Sequence, residues 1–380
     1  MSKPQALSIY KAFRKELGRF VREGQVHIDR ASQPSSLPRV MFFASQADSG
    51  GSGYLRARGV GLALRSMGWR TLMPNSGLTL SQRQRLIALE KPDVIVLQQA
   101  RHPLNRPSFY PGVPCIFDLD DADILDPRCA NDVVECARES KAVVAGSRYV
   151  AELLRPYNDN IAVIWTCVDR DISHPVRASE SRDPIIAWAS LSPSGFTNEA
   201  KLIQDAMVEL AKKAKFTFRL YGTSDPWGTR PADWAHRYAE PIRNAGAEVE
   251  LTPLLDYDSF LQSLESVAIG LQPVCIESDH SRGRSFGKVL GYLTSGAAVI
   301  ASNTVDHPLF FKNGTNGLLV ENDSAQWAEA CASLLANPFL RAQLAVAGRT
   351  DLGRRLVSRK AAELLDPILR HVISATSSSQ

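Results

Sequence analysis

Four groups of residues in this chain have side chains and spacing suited to chemistry. The first is Arg282, Arg284, Ser285 and Gly287, a glycine-bearing cationic loop that runs straight into Lys288 and an apolar segment holding Val289, Leu290, Tyr292 and Leu293. A helix beginning at this point presents backbone N–H groups and the positive end of its dipole beside those cations, which is a site for an anion such as a diphosphate. The same letters also suit a surface loop of solvated arginines. The second group is Asp118, Asp120, Asp121 and Asp123 at the end of an apolar run. Alternation puts Asp118 and Asp120 on one face and Asp121 on the other, so a shared metal, contacts to substrate hydroxyls and helix capping are all open to them. The third is His102, in Gln-Ala-Arg-His-Pro, a base or donor if it lines a site and a structural residue otherwise. The fourth is the loop at residues 48–53, with Asp48, Gly50, Gly51 and Gly53. It is not GxGxxG and no acidic residue ends the second strand, which argues against NAD binding. Ser49 and Ser52 lack a GxSxG context, which argues against a hydrolase nucleophile.

Loops of this kind are positioned by strands alternating with helices, and the sequence supplies both. Residues 39–45, 69–73, 93–98, 115–119, 141–145 and 161–166 read as strands, separated by helices that include one with Ala57, Val60, Leu64 and Met67 on a single stripe. The polar, proline-bearing stretch 169–183 reads as a linker. A second set follows, with strands at 184–189, 216–222, 248–251, 267–274, 297–301 and 317–320 and a helical tail over 338–373. Gly296 closes the helix after Lys288, because glycine takes the positive φ of a C-terminal cap without steric cost. Such alternation forces parallel pairing with right-handed crossovers. The fold class is therefore α/β, two Rossmann-like doubly wound domains facing across a cleft, with residues 1–36 set apart before them. Ligands of open parallel sheets bind beyond the carboxyl ends of the strands. That singles out the loops at 48–53, 98–102, 118–123, 190–201, 222–227 and 277–288.

Residues 1–36 differ from the rest. Ile9, Phe13, Leu17 and Phe20 recur at helical spacing among Lys11, Arg14, Lys15, Arg19 and Arg22. This basic amphipathic helix suits an anionic membrane face, and it equally suits packing on its own domain with solvated cations. Hydrophobic residues make up 44% of the chain and charged ones 22%, as in a soluble globular protein, and a net charge of +4 is too small for a protein built mainly to bind nucleic acid. Six scattered cysteines without a CxxC pair read as reduced core thiols. No apolar run approaches the roughly 20 residues of a membrane span, and no signal-peptide core follows the N-terminus. The expected location is cytoplasmic, with peripheral contact to the inner face of a membrane through residues 1–36 as the open alternative.

Several stretches resemble GT-B-fold glycosyltransferases, nearest to the polysaccharide-building members of glycosyltransferase family 4. FGKVLGYLTSGAAVIASN at 286–303 and HPLFFKNGTNGLLVENDSAQWAEA at 307–330 resemble the donor domain. GSGYLRARGVGLALRSMGW at 51–69 resembles the first loop and helix, CIFDLDDADILD at 115–126 the Asp-rich strand end, and AVVAGSRYVAELL with VIWTCVD the passage to the linker. The resemblance implies an enzyme that moves a sugar from a nucleotide-diphosphate donor to an acceptor hydroxyl, retaining and without a tightly bound metal or other cofactor. It implies an acceptor domain over 37–170, a donor domain over 183–355, and a C-terminal helix over 356–380 that packs back on the first domain. Lys288, Arg284, His102 and Asp120 are the implied catalytic residues. Arg282, Ser285, Phe286, Gly287, Lys201, Ser190, Gly222 and Glu321 are implied on the donor side, the Ala187 to Ser190 strand end taking the nucleotide. Asp48, Gly51, Gly53, Tyr54 and Arg56 are implied on the acceptor side. The implied partners are a nucleotide sugar and a glycan, lipid-linked or other hydroxyl acceptor, with no nucleic acid.

Two positions depart from that pattern. Gly291 stands where the family has a glutamate that holds the donor ribose, and the loop after the first donor-domain strand, Leu-Ser-Pro-Ser-Gly, has no basic pair, Lys201 coming later. An active transferase in polysaccharide or cell-envelope glycan synthesis is the first expectation. A catalytically weakened relative that binds a sugar nucleotide or a partner is the second.

Overall fold

The computed structural model describes residues 3–46, 51–169, 172–224, 231–284 and 286–377, without the side chains of residues 3–15 and 377. The chain divides into two compact units, one of residues 1–146, 150–166 and 358–380, the other of residues 147–149 and 167–357.

The first unit opens with α1 (Lys3–Ala31) and β1 (Arg39–Phe43), then a π-helical turn (Gly53–Gly59) leading into α2 (Val60–Arg65). The single helix expected here is thus two pieces. The wider turn brings Leu55, Arg56 and Ala57 inside in succession, which a regular helix with one buried stripe does not do. β2 (Arg70–Leu72), α3 (Leu80–Glu90), β3 (Val94–Gln98), β4 (Cys115–Leu119), α4 (Ala130–Glu139), β5 (Ala142–Ala145), α5 (Arg148–Leu154) and β6 (Ile161–Val163) follow. The strands pair in the order β2-β1-β3-β4-β5-β6, all parallel. β3 and β4 are buried at every residue, as strands covered on both faces must be. Thr79 starts α3 with a reciprocal capping box to Gln82. Met41, Phe43, Leu86, Ile95 and Leu97 form the core beneath it.

The second unit has a parallel sheet in the order β12-β11-β10-β7-β8-β9, built from β7 (Ile185–Ala189), β8 (Thr217–Tyr221), β9 (Glu248–Thr252), β10 (Ile269–Gln272), β11 (Ala298–Ser302) and β12 (Leu318–Val320). Its helices are α6 (Thr197–Ala211), α7 (Asp233–Asn244), α8 (Tyr257–Ser263), α9 (Asp279–Arg282), α10 (Gly287–Ser295), α11 (His307–Phe310), α12 (Ser324–Ala336) and α13 (Pro338–Arg355). Trp188, Met207, Phe218, Ile300 and Trp327 fill the layer between sheet and helices. Gly296 caps α10 at φ +77°, and a Cβ there would come within 2.7 Å of Val176, so both backbone and packing require glycine. The stretch read as a linker is tied down: Arg182 donates to Val267 O at 2.7 Å, and Arg349 to Ile172 O and His174 O at 2.8 Å.

The tail read as helical over 338–373 consists of two helices. After α13, Leu356 O accepts from Val168 N–H at 2.8 Å and Val357 bridges Val168, and α14 (Ser358–Ser377) then starts within the first unit. There Trp69 Nε1 donates to Asp366 at 2.7 Å. Among the described residues no single helix is long and apolar enough to cross a membrane.

Candidate functional site

In the second unit the cationic loop lies beyond the carboxyl end of β10, where a doubly wound sheet binds ligands. Ser278 caps α9 by accepting from Ser281 N–H. Arg282 at its end lies 4.3 Å over the Tyr149 ring and 3.3 Å from Asp279. Arg284 lies 4.0 Å over Phe196, whose other ring partner is His280 at 5.8 Å. Lys288 sits in the first turn of α10, its ammonium 5.3 Å from the centre of the Phe260 ring. The first intrahelical bond of α10 runs from Leu290 N–H to Phe286 O at 3.1 Å, so the amides of Gly287, Lys288 and Val289 precede it. Three cations on aromatic faces around a helix start form a positive field suited to an anion. Ser285 lies outside the described residues.

The other donor-side candidates divide. Phe286 is 3% exposed and packs edge-on against His307 and Phe310 at 5.7 and 6.0 Å, so it belongs to the core rather than lining the loop. Lys201 points along α6 to solvent, paired with Asp205 at 2.7 Å, because spacing of four residues on a helix makes them neighbours. Gly222 has φ +76°, and a Cβ there would fall 1.9 Å from Ser190 O, so its role is to let the ends of β7 and β8 close up. Ser190 is buried, and its hydroxyl accepts from Ser192 N–H at 3.3 Å. Glu321 is exposed at the end of β12 and accepts from Asn303 Nδ2 at 2.8 Å.

The strand end Ala187 to Ser190 has a support that sequence reading missed. Tyr292 passes beneath β10, where a Cβ on Gly270 would lie 2.3 Å from its ring, and its hydroxyl accepts from Ala189 N–H at 2.7 Å and donates to Ala187 O at 3.2 Å. Burial holds that phenol well above its ordinary pKa, so it stays protonated and donating. The Gly270–Tyr292 pair was legible only as two apolar residues. Gly291, one residue earlier, faces α8, and a Cβ there would meet Phe260 at 3.0 Å and Leu264 at 3.1 Å.

In the first unit Asp48 lies outside the described residues. Gly51 takes φ +73°, Gly53 opens the π-helical turn and Tyr54 is half-buried. Arg56 is buried, with Nε 2.7 Å and Nη2 2.9 Å from the two oxygens of Asp118 and Nη1 2.8 Å from Ile164 O. This bidentate pair holds β4 to the turn and takes Arg56 off the list of ligand contacts. His102 is corrected in the same way. Leu104 N–H donates to its Nδ1 at 3.1 Å, so Nε2 carries the proton and donates to Ser76 O at 3.1 Å. Both ring nitrogens are thus engaged, and burial, reinforced by Arg83, lowers its pKa to about 4, which keeps the clamp neutral.

Asp120 is 1% exposed, and Gln99 Nε2 donates to it at 2.6 Å. Gln99 has φ +58°, a costly backbone for a side chain with a Cβ, and is itself bound by Ser45 at 2.8 Å and Ser52 at 3.2 Å. This network at the ends of β1, β3 and β4 was missed. Its signal was the Gln98-Gln99 pair at a strand end. Asp121 and Asp123 both take Arg101. Burial raises Asp121, the Asp120 charge adding to it, and burial raises Asp123 against the pull of Arg101. Among the described residues no three His, Cys, Asp or Glu side chains are grouped as metal ligands.

Residues 201–366 match a protein family described as glycosyl transferase-like. The chain is similar in structure to sucrose-phosphate synthase from Thermosynechococcus elongatus, at TM-score 0.66 and 14% identity over 89% of this chain and 100% of that one. Similar too is HepE of Anabaena, solved in complex with UDP and glucose, at TM-score 0.62 and 14% identity over 88% of this chain and 99% of that one. The chain has the GT-B fold. A UDP-N-acetylglucosamine 2-epimerase structure from Listeria monocytogenes, described there as putative, shares it at TM-score 0.53 and 14% identity over 88% of this chain and 96% of that one. GT-B architecture thus carries more than one chemistry, and the family match over residues 201–366 is what supports glycosyl transfer. No curated protein matches the sequence.

Proposed function

We propose that this protein moves a sugar from a nucleotide-diphosphate sugar to an acceptor hydroxyl, with retention and without a bound metal, in the assembly of a polysaccharide or cell-envelope glycan. The observation that carries the reading is the placement of Arg284 and Lys288 around the first turn of α10, inside the family-matched segment. In this reading the two cations and the first amides of α10 take up the charge that grows on the departing diphosphate, the term that most lowers the barrier in such transfers. Arg282 adds to the field, Glu321 contacts the donor, and the nucleotide lies along the strand end that Tyr292 braces. The acceptor belongs to the first unit, with Asp120 as the group that receives its hydroxyl and Gly51, Gly53 and Tyr54 beside it.

A second reading is favoured by Gly291. A Cβ there would press on Phe260 at 3.0 Å and Leu264 at 3.1 Å, so a family-type carboxylate requires those side chains to shift. This suits a weakened relative that binds a sugar nucleotide as a subunit. A thermal-shift panel of UDP, GDP, ADP and CMP sugars, followed by turnover with the one that binds, separates the two. A ligand at 100 times its Kd stabilises by about 2.7 kcal/mol. Stabilisation without turnover selects the second reading, and no stabilisation by any nucleotide overturns both.

A further inference from the structure

Helix α1 stands in the first unit with its polarity reversed. The face turned to the domain carries charge: Glu23 is buried and accepts from Gln82 at 2.9 Å and Arg85 at 2.8 Å, Asp29 takes both Nη groups of Arg65 at 2.9 and 3.0 Å, and Arg30 donates to Glu90 at 2.8 Å. Val26 joins the core from this face. The outward face is apolar. Leu17, Phe20, Val21 and Ile28 are 51, 74, 51 and 72% exposed, and Gly24 between them looks onto open space. Positions 17, 20, 21, 24 and 28 make one continuous helical stripe, and in the sequence Tyr10 and Phe13 continue its register. Single exposed apolar residues need no explanation, but a stripe several turns long does.

Charge decides what covers it. In sequence α1 carries seven lysines and arginines against three carboxylates; Glu16 is matched by Arg19 of the helix itself, Glu23 and Asp29 by Arg85 and Arg65 of the domain, and of the cations Arg30 is matched by Glu90, so the count still leaves the helix cationic. Two such cationic helices laid face to face would repel, whereas an anionic surface attracts them. We propose that the outward face of α1 docks on an anionic lipid bilayer, its apolar stripe entering the headgroup boundary while the long cationic side chains reach lipid phosphates.

The test sediments the full chain with vesicles of phosphatidylcholine alone and with about 30% phosphatidylglycerol. Binding is expected to the anionic vesicles, weakening between 0.1 and 1 M salt as the screening length falls from about 10 Å to about 3 Å. The Leu17→Ser/Phe20→Ser double variant should bind about tenfold more weakly, with an unchanged melting temperature because both side chains are exposed. Ile28→Ser is the second variant if that one melts early. The proposal falls if wild-type protein stays in the supernatant, or if the variants sediment like it. It also falls if light scattering shows a dimer that the variants split, since the stripe then belongs to a second copy.

Discussion

The Lys288 ammonium lies 5.3 Å from the centre of the Phe260 ring, and the same ring lies 3.0 Å from where a Cβ on Gly291 would stand. One aromatic side chain of α8 therefore supports the cation of the loop and closes the volume that a larger residue at 291 would need. An aromatic face orients a cation while leaving its charge in play. The residue that makes the second reading attractive and the residue that the first reading needs thus share one aromatic neighbour.

In the transferase reading, Lys288→Ala removes a charged hydrogen bond to the diphosphate worth about 1.5 to 3 kcal/mol, and turnover falls about tenfold to a hundredfold. Phe260→Leu keeps the charge and loses only its support, about 0.5 to 1 kcal/mol, so its effect should be several-fold. Steady-state kinetics with the nucleotide sugar found by the binding panel checks both. Unchanged turnover in Lys288→Ala removes that residue from the leaving-group role.

Gly291→Glu is expected to destabilise by about 1 to 3 kcal/mol, the usual cost of overpacking, because Phe260 or Leu264 must move. Combined with Phe260→Ala, the loss should be smaller than the sum of the two single losses, because the truncated side chain no longer meets the new one. Thermal melts of the single and double variants measure this coupling. A single variant that is both stable and more active would show that the family's carboxylate can be restored here, against the packing described.

Asp120→Asn keeps the shape of the side chain and removes its charge. Turnover should fall at least about tenfold if Asp120 receives the acceptor hydroxyl. The nucleotide-induced thermal shift should not change, because the donor side belongs to the second unit. A variant with full turnover would make the Gln99–Asp120 network purely structural.

Acid should weaken the fold through His307. Burial pushes its pKa down to about 4 from 6.5, partly offset by the Nδ1–H bond to Ser302 O at 2.9 Å. Between those values the unfolded chain binds the extra proton, so the contribution is complete above about pH 6.5 and is lost as pH falls toward about 4. The loss is on the order of 3 kcal/mol. Asp121, raised by burial, acts in the opposite sense, its contribution fading as pH rises. Melting temperatures of wild type and His307→Asn at pH 7.5 and 5 should diverge at the neutral end and converge at the acid end. A parallel decline in both proteins would assign the acid sensitivity elsewhere.

The alternation of strands and helices was legible because it rests on local signals: uncharged runs, glycine and proline punctuation, and helical stripes. Among the described residues all twelve strands overlap runs that read as strands, and Gly296 ends α10 where a left-handed cap was expected. The loop from Arg282 to Lys288 was legible for the same reason, since its cations and its helix are neighbours in sequence. Side-chain roles that depend on a distant partner were not. Arg56 and His102 looked like ligand contacts and are a buried ion pair and a neutral clamp, Gly222 makes room for Ser190, and Tyr292 supports a strand more than a hundred residues away. Helix α1 makes the contrast sharpest. Its amphipathic spacing is written in the sequence, but periodicity gives the angle between the two faces and not which one meets the domain. That was decided by Arg65, Arg85 and Glu90, whose charges drew the polar face inward and left the apolar one outside.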